Sequence, residues 1–175
     1  TDPWAPDAIE SEVLHPRVRA RLRHWLEAPR SRLQLIRRPG RAGKRALLMV
    51  FDGASDQPRT SKVELDRYED LLDVELDALP AMSNEPMCLV CVHGRRDRCC
   101  ALHGSAVFRA IQAQGVDVWQ TSHLGGHRFA ACALWLPAGL MYGRLRAHHA
   151  AAFVTSRGAG AIGDLDLFRG RCSYD

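Results

Sequence analysis

The residues in this chain able to do chemistry crowd into two short stretches. "MCLVCVHGRRDRCC" (87–100) holds four of the six cysteines, and "TSHLGGHRF" (121–129) holds two histidines four apart. Clustered thiols and imidazoles point first to metal or redox chemistry, because secreted disulfide frameworks spread their cysteines through shorter chains. Three chemistries compete for them. Cys88 and Cys91 spell C-x-x-C, the dithiol oxidoreductase motif. That motif works at a helix N-terminus, whereas here it lies within a predicted strand, where residues three apart face opposite sides and their sulfurs do not meet. Cys88 is therefore expected to be a small buried hydrophobe.

The second chemistry is a metal centre. Cys91 ends the strand, and Cys99 and Cys100 open the next helix after a loop carrying Arg95, Arg96 and Arg98. Cations and backbone amides around thiolates suit a compact anionic group. Neighbouring cysteines diverge, so one of Cys99 and Cys100 is structural or merely nearby. His123 and His127 flank Gly125 and Gly126, which argue against a helix and allow the backbone to fold both rings toward one point. Two cysteines and two histidines hold either a [2Fe–2S] cluster, with the cysteines on one iron and the histidines on the other, or a tetrahedral structural Zn²⁺. The third set, Cys91-Val-His93 with Cys100-Ala-Leu-His103, reproduces both halves of a Rieske site, but only eight residues lie between the two cysteines.

The elements that must position these groups read as follows. Residues 15–28 form a helix with Val18, Leu22, Trp25 and Leu26 on one face. Strands at 32–38 and 45–52 form a hairpin around the turn 39–44. A helix is expected at 66–76, the buried strand at 87–92, a helix at 102–115 stopped by Gly115, and a strand at 116–122. Residues 129–145 form two antiparallel strands joined at Pro137–Gly139, followed by a helix at 146–157 and a strand or extended tail at 164–175. The fold class is α/β, a thioredoxin-like mixed sheet flanked by helices in a single domain. Residues 1–30 form an N-terminal arm and helix, 31–86 the first half, and 87–175 the half bearing the site.

The 175 residues are 46% apolar and 25% charged, as in ordinary globular proteins, with no apolar run near the roughly 20 residues a membrane span needs. Membrane insertion is not expected. The chain opens without a secretory leader pattern, and a cytoplasmic setting is expected. The net charge of +4 is carried almost wholly by arginine, since Lys44 and Lys62 are the only lysines. Arg17, Arg19, Arg21 and Arg23 spread around their helix instead of forming a stripe, so no nucleic-acid partner is expected. Arg37, Arg38 and Arg41 are either turn residues or a small patch for an acidic redox partner. Asp97 is expected to accept backbone hydrogen bonds in the loop, and Trp119 to be a core residue near the histidines.

"CVHGRRDRCC" and "TSHLGGHRFAACALWLPAGLMYGRL" resemble the sucrase/ferredoxin-like family. Its pattern is C-x-H-G-x-R-D-x-x-C, then S-H-x-G-G-H followed by K or R, F or Y and A, then an apolar strand and Y-G-R. The likeness is strongest over 87–145 and weaker at "PWAPDAI", "LIRRPGR" and "FRGRCSY". It implies a thioredoxin-like ferredoxin with a bis-histidinyl, non-Rieske [2Fe–2S] cluster held by Cys91 and Cys100 as thiolates and His123 and His127 as imidazoles. The implied role is electron carrier or redox sensor, serving a redox partner protein. Ala101 stands where many relatives have glycine. Relatives often carry a strand before "PW" and continue past "RGRCSY", so a shortened or trimmed form is expected. The sucrase half of the family name finds no support, since glycosidases need paired carboxylates about 5 to 9 Å apart and none stands out near the motifs.

Overall fold

The computed structural model describes residues 4–29, 31–39, 46–52, 59–79 and 85–172. A six-stranded mixed sheet is its centre, in the order β1 (Ile36–Arg37), β5 (Val118–Thr121), β4 (Met87–Cys91), β6 (Ala133–Leu136), β7 (Leu140–Tyr142) and β8 (Phe168–Arg171). β2 (Ala46–Asp52) and β3 (Arg59–Leu65) pair separately over seven residues. Helix α2 (Arg98–Gln112) crosses from β4 to its parallel neighbour β5, and β6 and β7 then run antiparallel before α3 (Ala150–Gly158). This is the thioredoxin-like order of strand, helix, parallel strand, antiparallel pair and helix.

β4 is central and buried on both faces, so it reads as a continuous apolar run without alternation. Its side chains still alternate in destination. Cys88 and Val90 pack with Val107, Phe108 and Ile111 of α2 and Phe153 of α3, while Met87, Leu89 and Cys91 face the opposite layer. That second layer is closed by Leu47, Met49 and Phe51 of β2. The other face of the β2–β3 hairpin, through Leu48, Val63 and Leu65, meets α1 (Pro16–Trp25) at Val18 and Leu22. Burying each such aliphatic side chain contributes about 1.5–3 kcal/mol, which docks α1 on the far side of the hairpin.

Two expected elements are corrected. The strands at 32–38 and 45–52 do not pair with each other: β1 joins β5 through Ile36 and Thr121, and β2 joins β3. Residues 34–37 are claimed by the end of β5, since Leu35 and Ser122 exchange hydrogen bonds between Leu35 N and Ser122 Oγ (2.9 Å) and between Ser122 N and Leu35 O (2.8 Å). The turn at 40–44 and Arg41 lie outside the described residues. The helix expected at 66–76 is two 3₁₀ turns, Tyr68–Asp73 and Leu76–Ala78. The Asp70 carboxylate accepts from the backbone of Asp66 and Arg67 at 3.0 and 3.1 Å, a local alternative that competes with an α-helical ladder. Among the described residues no helix is long and apolar enough to cross a membrane.

The arginines of α1 hold their own chain. Arg19 and Arg23 pair with Glu10, and Arg21 pairs with Glu75. Arg37 lies over the Trp4 ring at 4.3 Å and donates to Gln120 Oε1, while Arg38 pairs with Asp117 and covers Trp119 at 5.0 Å.

Candidate metal centre

Cys91 ends β4, buried, where its amide donates to the carbonyl of Cys132 at 3.0 Å. Asp97 then caps α2 by accepting from Cys99 N at 2.8 Å, a backbone-accepting role consistent with its place in the loop. The cap fixes the rotation of the first helical turn. Cys100 is directed inward and buried, and Cys99, one residue earlier, is exposed. The histidine loop enters from β5. Gly125 and Gly126 take φ values of 92° and 63°, left-handed backbone that a side chain would strain, and the chain tightens into a 3₁₀ turn over His127–Phe129.

These elements bring three donors together. One ligand atom from each of Cys91, Cys100 and His123 lies within 4.8 Å of the others, and Cys100 Sγ is 3.7 Å from His123 Nδ1. His127 stands beside this group. Its ring centroid is 6.0 Å from that of His123, its side chain is 60% exposed, and its Nδ1 lies 3.7 Å from Asp97 Oδ2. Cys88 belongs to the opposite core layer, separated from Cys91 by the strand, so the two do not form a dithiol; burial pushes its thiol well up.

The electrostatics favour one thiolate. A proton shared with the neighbouring Cys100 sulfur, helped by the amides of His93 and Leu124, outweighs burial and holds the Cys91 thiol below its ordinary range. Cys100, as the donor and beside a negative sulfur, goes strongly up. Donors aimed at a sulfur are what a metal-bound thiolate also requires, so this donor set fits a thiophilic metal or an iron–sulfur group. In metal-free protein the ultraviolet thiolate absorbance should begin to rise below the ordinary thiol range and lose that early step in Cys91→Ser. A folded pKa below the unfolded value of about 8.5 means fewer protons bound in the folded state across that window. Stability of the metal-free chain therefore rises with pH between the lowered folded value and the unfolded one, and this contribution is lost as pH falls through the folded value.

His93 is a scaffold instead of a donor. Its Nδ1 accepts from His123 N at 3.2 Å and its Nε2 donates to the Ala5 carbonyl at 2.9 Å, with Trp4 packed edge-on at 5.8 Å. One tautomer satisfies both bonds, and burial lowers its pKa, keeping it neutral. His103, part-buried on α2, is likewise outside the three-donor group, so the Rieske-like halves do not assemble. Cys132, which no spacing signalled, lies against the site. Its thiol donates to the carbonyls of Gly126 and Phe129, both at 3.4 Å, pinning the histidine turn, and burial with the nearby Cys91 charge pushes it up to about 11. Trp119 joins the same layer, 7% exposed, with Nε1 donating to Asp117 at 2.9 Å.

The sucrase/ferredoxin-like family model matches residues 1–170. The chain belongs to the sucrase/ferredoxin-like family. Among solved structures, a thioredoxin-like [2Fe–2S] ferredoxin from Aquifex aeolicus is similar at a TM-score of 0.44 and 15% identity, over 51% of this chain and 94% of that one. A second structure of that wild-type protein gives 0.43 and 16%, over 51% and 100%. No curated protein matches the chain.

Proposed function

We propose that this family member is a one-electron carrier or redox sensor holding a [2Fe–2S] cluster through Cys91, Cys100, His123 and His127. The observation that carries the reading is the convergence of Cys91, Cys100 and His123 within 4.8 Å, with His127 beside them. When bound, such a cluster takes up and returns a single electron, and neutral imidazoles in place of two thiolates raise its potential above the roughly −400 mV of four-cysteine ferredoxins.

The chain's own residues set the conditions. The amides of His93 and Leu124 stabilise negative charge on Cys91 sulfur. Met87, Leu89, Leu124 and Leu134 exclude water from the thiolate side. The histidine side is open, since His127 is exposed and His123 lines a cleft of about 480 Å³ with Asp7, Arg23 and Gln34. An imidazole nitrogen in contact with water gains proton affinity as charge on the bound group grows more negative, so the potential falls as pH rises. A redox partner protein and a reducing, cytoplasmic setting complete the reading; the six free cysteines support the latter.

A structural zinc site is the second reading, favoured by the compactness of the three-donor group, a span that one ion covers. Anaerobic purification with optical, EPR and metal analysis separates the two. A red-brown protein with two irons per chain and an EPR signal on reduction supports the cluster, and a colourless protein with one zinc overturns it. Spectra unchanged in His123→Cys remove His123 from the ligands.

A further inference from the structure

Three guanidinium groups converge on one aromatic ring at the edge of the site. Arg128, Arg144 and Arg169 lie over Phe129 with carbon-to-centroid distances of 4.9, 5.3 and 4.9 Å. They come from three separate segments: the 3₁₀ turn of the histidine loop, the residue after Gly143, and β8. All three are exposed, and among the described residues none is ion-paired to a carboxylate. Among the described residues Arg169 donates to the backbone carbonyls of Phe168 and Asp166, at 2.9 and 2.5 Å. Arg144 is held at a left-handed φ of 59°, its amide donating to the Phe129 carbonyl at 2.6 Å. The π face of Phe129 attracts each cation. It does not neutralise them, so the fold maintains a concentrated positive patch that attracts an anion.

The patch adjoins the place where charge would leave the molecule. Arg128 follows exposed His127, Phe129 packs in the same layer as Cys91 and Cys100, and Cys132 ties the Phe129 carbonyl to that of Gly126. Exposed Arg95 and Arg96 lie on the loop after the first cysteine and exposed Arg98 opens α2, with Asp97 the one acid among them. We propose that Arg128, Arg144 and Arg169 form the docking site for a redox partner protein whose own electron-exchange edge is ringed by carboxylates. This rests on the electron-carrier reading above. Opposite fields steer such encounters and align the exposed imidazole edge with the partner's centre.

The test pairs two one-electron acceptors of opposite charge, an acidic blue-copper protein and a basic c-type cytochrome. One electron passes from reduced iron in this protein to Cu²⁺ or to haem Fe³⁺, giving Cu⁺ or Fe²⁺; no covalent bond changes, and any proton an imidazole gained on reduction returns to solvent. At low salt the copper protein should be the faster oxidant, with a rate that falls as salt is added. Combined Arg128→Glu, Arg144→Glu and Arg169→Glu should slow it by about 10- to 100-fold and speed the cytochrome. The neutral triple Arg128→Gln, Arg144→Gln and Arg169→Gln should fall between, guarding against an effect of misfolding. Calorimetric titration with the reduced copper protein reads affinity without electron transfer and should show the same order.

Unchanged copper-protein affinity in both triples overturns the docking site, as does equal slowing of both acceptors. Saturable competition by inorganic phosphate beyond its ionic strength overturns it in favour of a small-anion site. A colourless protein without an EPR signal defeats the carrier reading instead, and the calorimetry then decides the docking surface alone.

Discussion

Replacing Cys100 by alanine should abolish the coloured centre proposed above, and replacing Cys99 by serine should leave it at full iron and acid-labile sulfide content. The two residues are adjacent in sequence but about 100° apart around α2. The Asp97 cap sets that rotation, sending the Cys100 sulfur to Cys91 and His123 and the Cys99 sulfur to solvent. Loss of the Cys100 thiol has a second consequence that does not depend on any bound group. The shared proton with Cys100 is the largest cause lowering Cys91, so in metal-free Cys100→Ala the thiolate step should move up toward the ordinary thiol range. Cys99→Ser should leave the step in place. Iron and sulfide analysis, visible circular dichroism and the ultraviolet titration read all three effects. Loss of iron in Cys99→Ser with retention in Cys100→Ala would reverse the assignment of the inward sulfur.

The parts of the fold legible in the sequence are those written locally. The apolar run of β4, the amphipathic α2 stopping near Gly115, and the pair β6–β7 around Pro137–Gly139 need only neighbouring residues to declare themselves. Pairing does not. Residues 32–38 and 45–52 look like the arms of one hairpin, yet Ser122, more than 80 positions later, captures Leu35, and the polar stretch Arg59–Leu65 becomes a strand because β2 supplies its ladder. The same division runs through the site. Cys91, Cys100 and the diglycine loop are visible as motifs, whereas the choice between Cys99 and Cys100 depends on helix rotation. His93 is indistinguishable by spacing from a ligand, because only the folded N-terminal segment shows that both of its nitrogens are taken, by Ala5 and by the amide of His123. Cys132 carried no signal: it lies in an apolar run, and its role depends on the carbonyls of a turn formed by residues 126–129.

Gly104→Ala is expected to be the most damaging single methyl group that can be added near the site. A Cβ there would lie 2.0 Å from the Cys91 carbonyl oxygen, 3.1 Å from its carbon and 3.3 Å from Val92 Cγ1. Two of these three atoms are backbone of the strand that presents the first sulfur, paired on both sides by β5 and β6, so β4 cannot retreat. α2 must move instead, and it carries Cys100. Overpacking of this kind costs about 1–3 kcal/mol, occasionally more. At about 2–4 °C per kcal/mol for a chain of this size, the melting temperature should fall by roughly 2–12 °C. Loading should fall further than stability alone requires, because the displacement opens the distance between the two sulfurs. Gly158→Ala is the control: it ends α3 with nothing within 4 Å of the added carbon, and should be neutral or slightly stabilising. A Gly104→Ala protein that melts with the wild type and binds full iron would mean that α2 does not press on Cys91, and with it the account of how this helix aims Cys100 would fail.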